Sequence, residues 1–175
     1  MPSLNEKQIN EISNLVAGYV TEQREAFAAS ARPIPDDHRQ ALCAFFPGEI
    51  LTDVRITRGR APEPSFYKLL RMFGIDNAPR FSEMAGITFQ DVVVHAEPLT
   101  RSLLFHEMVH VVQYKHLGLT GFAERYVRGF LSGGSYEEIP LEKQAYELEA
   151  AFGKKPNAAF SVEADVRRRI ERNLL

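Results

Sequence analysis

The chain has few residues that could cross-link it or anchor it in a membrane. Cys43 is the only cysteine among 175 residues, and tryptophan is absent. One cysteine excludes an internal disulfide bond and a zinc site built from several cysteines. No apolar run approaches the roughly 20 residues that span a bilayer, and residues 1–7 lack the basic start and apolar core of a secretory signal. We therefore expect a cytoplasmic protein with no membrane partner.

A strong charge of either sign is also missing. The 21 Lys and Arg residues nearly balance the 23 Asp and Glu residues, and the pI is about 6.2. The run Arg167-Arg168-Arg169 with Arg172 is basic, but such a run is typical of a solvated helix end. No nucleic-acid partner is expected. The 45% apolar and 25% charged fractions are those of an ordinary globular domain.

Hydrophobic spacing predicts a mainly helical α+β protein with one small β-sheet, in a single domain over residues 1–175. Gly118 is expected to end the helix that follows Thr100, and the apolar neighbours of Cys43 predict that its side chain is buried. Helices are predicted at 3–31, 36–46, 65–73, 100–116, 120–131, 140–152 and 161–173, and strands at 49–57 and within 86–95.

The helix after Thr100 contains the motif His106-Glu107-Met108-Val109-His110, an H-E-x-x-H. Residues four apart on a helix differ by about 40° around its axis, so both histidines project from one face. Two neutral imidazoles at that spacing can bind one Zn²⁺ ion, and Glu107 lies beside them without binding it. The alternative is a pair of structural histidines, but burying them on this apolar helix is costly unless they are paired or metal-bound.

A catalytic zinc ion usually has three protein ligands, and the sequence offers several candidates for the third. His116 lies about 240° around an unbroken helix from His110 and so faces elsewhere. Its spacing from His106 is that of metzincins, but Gln113 replaces their helix-breaking glycine. Glu142 heads an E-x-x-A pattern on the helix after Pro140 and is the preferred ligand. Glu138, Glu147 and Glu149 remain open as ligands, and Glu149 could instead support a histidine.

The segments 86–94, 106–114 and 139–146 together resemble the minimal gluzincins, small zinc metallopeptidases related to domains of contractile-injection-system cores. The resemblance covers residues 84–150 and implies a zincin-like fold with a metallopeptidase core at 84–153. Residues 1–46 would form a helical extension, and 161–174 a C-terminal helix. The resemblance further implies that His106, His110 and Glu142 are zinc ligands and that Glu107 is the general base. It also implies a strand near 86–95 at the edge of the substrate cleft. Tyr146 departs from the family pattern, which has aspartate there.

These residues predict a zinc-dependent endopeptidase in which Glu107 takes a proton from the attacking water. His95, Tyr136 and Tyr146 are candidate donors to the oxyanion. A peptide or protein substrate is expected to add as an extra strand near 92–95. The alternative function is a zinc-binding structural or partner-binding module that does not hydrolyse peptides. The sequence leaves the oligomeric state open.

Overall fold

The computed structural model describes residues 4–154 and 158–175, and it confirms a mainly helical α+β protein with one small mixed sheet. Within these residues the helices are α1 (Glu6–Ala28), α2 (Asp36–Leu42), α3 (Gly48–Asp53), α4 (Tyr67–Met72), α5 (Arg101–Gly133), α6 (Pro140–Lys154) and α7 (Val162–Glu171), with a 3₁₀ turn at Phe81–Glu83. The strands are β1 (Arg32–Pro33), β2 (Arg55–Arg58), β3 (Gly86–Phe89) and β4 (Val92–His95). None of the described helices combines the length and hydrophobicity needed to cross a bilayer.

The strand order β1-β2-β4-β3 decides which backbone edge is free. β4 pairs in parallel with β2 and antiparallel with β3, so both of its edges are occupied. The prediction that a peptide adds to 92–95 is therefore wrong, because no main-chain groups of β4 remain for another strand. β3 lies at one end of the sheet beside α5, and its outer edge has no strand partner among the described residues, so it could accept a peptide.

The predicted strand at 49–57 is wrong in its first half, which forms α3 before β2 begins at Arg55. Ile50 and Val54 are four residues apart, so they lie on the same side of a helical turn. The Val54 amide donates to the Ile50 carbonyl at 3.1 Å and closes that turn. Both side chains are buried in the core. Apolar spacing over so few residues fits a strand and a helical turn equally well.

Cys43 is exposed, contrary to the prediction, although Leu42, Phe45 and Phe46 around it are buried. Its thiol donates to the Gln40 carbonyl at 3.1 Å. α2 ends at Leu42, and Cys43 is the first residue after its last turn. Its side chain points outward there while the flanking rings turn inward.

The core has two parts, one on each face of the sheet. Val93 packs with Leu104 and Met108 of α5, whereas its neighbours Val92 and Val94 pack with residues of α1. This alternation follows from the two-residue period of a strand. The sheet therefore packs against α5 through one cluster and against α1 through the other, and β3 contacts both helices.

α5 begins where Thr100 caps it, with the hydroxyl accepting from the Leu103 amide at 3.1 Å. Gly118 interrupts the helix at φ 68° and ψ 170°, as the sequence predicts, because this backbone conformation favours glycine. The chain turns at Gly134 and returns as α6, which packs along α5. This return brings a second set of side chains opposite the histidines of the first half of α5.

Candidate metal centre

Three ligand-type atoms converge between α5 and α6. His106 Nε2 lies 3.2 Å from His110 Nε2, and Glu142 Oε2 lies 3.4 Å and 3.3 Å from the two nitrogens. The side chains of all three residues are buried, with at most 6% of each residue exposed. Together they form a group that could hold a metal ion.

The dimensions of this triangle fit a small divalent ion. Ligands at about 2.0–2.1 Å in a tetrahedron are separated from one another by about 3.3–3.4 Å, which matches the two distances to Glu142 and is close to the 3.2 Å between the histidines. Glu142 Oε2 is buried and has no hydrogen-bond partner among the described residues. A buried charged oxygen without a partner is costly, and a bound cation would remove that cost.

His106 presents Nε2 to the triangle because Nδ1 is engaged on the other side of the ring. Nδ1 lies 3.1 Å from Glu149 Oε2, and a carboxylate there makes Nδ1 the donor. Ser102 donates to the other Glu149 oxygen at 2.7 Å and so holds the carboxylate in place. The structure thus places Glu149 behind the histidine and Glu142 in front of it. Glu149 thus gives His106 the carboxylate partner that Tyr146, at the position where the family pattern has aspartate, could not provide.

His110 is held in the same orientation by a neutral partner. Its Nδ1 lies 2.8 Å from Gln113 Oε1, one helical turn further along α5. The other open candidates, Glu138 and Glu147, are absent from the triangle, because Glu138 pairs with Lys143 at 2.5 Å and Glu147 pairs with Arg169 at 2.6 Å. His116 lies 3.0 Å from Glu163 Oε1 of α7 and also points elsewhere.

The carboxylates around His106 attract positive charge, whether it is carried by a proton on the ring or by a bound metal ion. Burial by itself lowers the pKa of His106, but the neighbouring Glu142 and Glu149 carboxylates outweigh burial and raise the pKa to about 10. Burial raises the pKa of Glu142, yet the neighbouring His110 and His106 imidazoles outweigh burial and lower it to about 2. Glu142 is thus a carboxylate, the form that binds a metal ion.

Glu107 lies beside the triangle in a buried site on the β3 side of α5. The Thr88 hydroxyl donates to Glu107 Oε2 at 2.7 Å, and burial raises the pKa of this carboxyl group. Gly86 leaves room for the same carboxylate, because a Cβ there would lie 2.6 Å from Glu107 Oε1. Neither Thr88 nor Gly86 was predicted as a site residue. Because they are two residues apart on a strand, they could be expected on the same face of it, but the sequence did not indicate that this face contacts α5.

A cavity of about 50 Å³ adjoins Glu107, His110 and Glu142. It is large enough for an ordered water molecule, and its walls offer several polar partners. The remaining walls come mostly from aromatic and aliphatic residues of α1, β3 and α5, including Val16, Tyr19, Val20, Phe89, Tyr114, Phe122 and Tyr126.

The three predicted oxyanion donors occupy different positions. Tyr136 lines the cavity. Tyr146 is 45% exposed, and its ring centroid lies 4.6 Å from that of His106, so it separates the histidine from the surface. His95 is not among the residues that line the cavity, and its Nδ1 lies 2.9 Å from the Glu97 carbonyl. The structure therefore brings Tyr136 and Tyr146 to the centre and leaves His95 outside it.

No protein family model, no curated protein and no solved structure matches this chain. The interpretation of the centre therefore depends on its own geometry. That geometry defines the chain as an α+β protein with a buried two-histidine, one-carboxylate group that could hold a metal ion.

Proposed function

We propose that the protein is a zinc-dependent metallopeptidase of the gluzincin type on a zincin-like scaffold. The observation that carries this proposal is the triangle of His106 Nε2, His110 Nε2 and Glu142 Oε2, with the Glu107 carboxylate on the same cavity. Two histidines and a glutamate are a ligand set of catalytic zinc sites, in which a fourth position stays open. A purely structural zinc site would have four protein ligands and no use for Glu107.

The residues around the centre have separate roles in this proposal. A zinc ion held there would lower the pKa of a water molecule and polarise a substrate carbonyl group. Glu107 accepts the proton of the attacking water and passes it to the leaving amine, and Thr88 and Gly86 hold its carboxylate in position. Of the predicted oxyanion donors, Tyr136 and Tyr146 lie near the centre, and the proposal assigns that role to them.

The proposed substrate is an extended peptide or protein segment. The free edge of β3 offers main-chain donors and acceptors next to the cavity, and Gly86 and Thr88 of the same strand contact Glu107. A strand added at this edge would place its carbonyl groups near the centre, with little dependence on side-chain sequence.

The size of the cavity favours a second candidate, the non-hydrolytic zinc-binding module. About 50 Å³ is far below the about 300–1,000 Å³ of pockets that hold drug-sized ligands. Val16, Tyr19 and Val20 of α1 form part of the wall, so α1 narrows the approach to the centre. In this alternative the ion stabilises the packing of α5 against α6 and no substrate enters.

Zinc analysis combined with a broad peptide-cleavage screen tests the proposal on the wild type and on Glu107→Gln. Glutamine keeps the size of the side chain and an oxygen that can accept from Thr88. We expect both proteins to retain zinc and the variant to lose cleavage by about 10²–10⁴-fold, the usual contribution of a general base.

Glu171→Gln, at an exposed position of α7, is the control and should behave as the wild type. Zinc in both proteins with cleavage in neither would favour the non-hydrolytic module. No bound zinc in the wild type would refute both functions.

A further inference from the structure

A chain of buried amide side chains connects the metal centre to the C-terminal helix. It starts at His110, whose Nδ1 meets Gln113 Oε1. The Gln113 amide nitrogen donates to the Leu141 carbonyl and to Gln144 Oε1, both at 3.0 Å. Gln144 in turn donates to Asp165 Oδ1 of α7 at 2.8 Å. Gln113 and Gln144 are completely buried, so water cannot replace these bonds.

The direction of each hydrogen bond follows from the chemistry of its acceptor. The Leu141 carbonyl can only accept, so Gln113 turns its NH₂ group toward it and its oxygen toward His110. Because an amide oxygen cannot donate, His110 Nδ1 must carry the hydrogen. The lone pair of the neutral ring is then on Nε2, the atom that faces His106 and Glu142.

Ion pairs fix the α7 end of this series of hydrogen bonds. Asp165 can only accept from Gln144, which sets the orientation of the second amide. The carboxylate is itself paired with Arg169 at 2.9 Å and with Arg168. Arg169 also pairs with Glu147 of α6 at 2.6 Å and ties α7 to the helix that carries Glu142.

We propose that Gln113, Gln144 and Asp165 are positioning residues that hold the Nδ1–H tautomer of His110, so that α7 contributes to the metal affinity of the centre. This inference rests on the metal-binding part of the proposed function and is independent of hydrolysis. Without the Gln113 oxygen, the neutral ring is free to carry its hydrogen on Nε2, and that form cannot bind the ion.

The size of each effect follows from the number of hydrogen bonds between the residue and the ring. Gln113→Leu removes the direct partner of His110 and should weaken Zn²⁺ affinity about 10–100-fold. Gln144 and Asp165 are one and two hydrogen bonds further from the His110 ring than Gln113. Gln144→Leu and Asp165→Ala should therefore weaken Zn²⁺ affinity by a smaller factor, about 3–10-fold each. Asp165→Asn keeps an oxygen that accepts from Gln144 and should bind zinc more tightly than Asp165→Ala.

The affinity of the full-length protein for Zn²⁺ is measured by competition with a chromogenic chelator. The absorption spectrum of the Co²⁺ form reports ligand geometry separately. Glu147→Gln is the control, because it removes the charge of the carboxylate that pairs with Arg169 between α6 and α7 and leaves the amide chain intact. Thermal unfolding of the zinc-free proteins shows how much each substitution lowers stability.

The expected result is weaker zinc binding and an altered Co²⁺ spectrum for Gln113→Leu, Gln144→Leu and Asp165→Ala, with wild-type values for Glu147→Gln. Wild-type affinity in folded Gln144→Leu would overturn the inference, as would equal affinity of Asp165→Asn and Asp165→Ala. If Gln144→Leu does not fold, the comparison of the two Asp165 variants decides. A wild type that binds no zinc refutes the proposed function itself.

Discussion

The space that Gly86 leaves for Glu107 allows a quantitative test of the site. In Gly86→Ala the new methyl carbon would lie 2.6 Å from Glu107 Oε1, 3.0 Å from its Cδ and 3.0 Å from Leu103 Cδ1. Ordinary van der Waals contact between carbon atoms begins at about 3.5 Å, so the carboxylate must move by several tenths of an ångström or more. Glu107 is buried and bonded to Thr88, so it cannot swing into solvent.

We expect this overpacking to lower the free energy of unfolding by about 1–3 kcal/mol. The three atoms nearest to the new methyl carbon belong to Glu107 and Leu103 and not to the proposed metal ligands, so zinc content should be unchanged. In the proposed function Glu107 is the general base, and a displacement of such a group by about 1 Å can cost about 10²-fold in rate, so peptide cleavage should fall by that order.

Urea unfolding, zinc analysis and the cleavage assay measure the three effects. Gly18→Ala is the matched control, because Gly18 lies within α1 and its Cβ would meet nothing within 4 Å. It should leave cleavage unchanged and raise stability by about 0.5–1 kcal/mol, since alanine suits a helix better than glycine. Wild-type stability and cleavage in Gly86→Ala would refute the tight fit of Glu107 against β3.

Two further predictions concern a ligand and a surface ion pair. Glu142→Gln should abolish tight zinc binding because a neutral amide is a poor ligand, whereas Glu149→Gln, behind His106, should weaken zinc binding only about 10–100-fold. Dialysis followed by zinc analysis distinguishes the two variants. A greater loss of zinc in Glu149→Gln than in Glu142→Gln would contradict the proposed ligand. Arg24 forms two hydrogen bonds with Asp91 and lowers the pKa of this carboxyl group. The carboxylate therefore stabilises the fold fully above its unfolded pKa of about 3.9, and this contribution is lost as the pH falls through the lower pKa of the folded state. The Asp91 carboxylate is part-exposed, so Asp91→Asn should lower the free energy of unfolding by only about 0.2–1 kcal/mol at neutral pH and by almost nothing in acid. An equal difference between the urea midpoints of the wild type and the variant at both pH values would exclude this pair as the cause.

The elements that depend on long periodic patterns could be predicted from the sequence. α5 begins at the cap of Thr100 and breaks at Gly118, and α7 begins at the cap of Ser161, because these signals are local. The pairing of His106 with His110 across one turn is equally local, since a helix alone places residues four apart on one face. The short α3 was missed because its apolar spacing is shared by a strand.

The choice among the acidic residues of the later segment could not be made from the sequence. Glu142 and Glu149 are seven residues apart and lie on the same face of α6, so periodicity treats them alike. The packing of α6 against α5 places Glu142 in front of the imidazoles and Glu149 behind His106. That distinction depends on the relative position of two helices, which no local pattern contains.

The sequence by itself determined the helix that carries the H-E-x-x-H motif, the placement of His106 and His110 on one face, and the position of Glu107 beside them, because one helical turn sets their spacing. Only the tertiary structure decided which strand edge is free, which glutamate closes the triangle, and that Thr88, Gly86 and Gln113 surround it. These are contacts between residues distant in sequence or buried by packing. They form only when the sheet, α5 and α6 come together, and that assembly is a property of the whole chain.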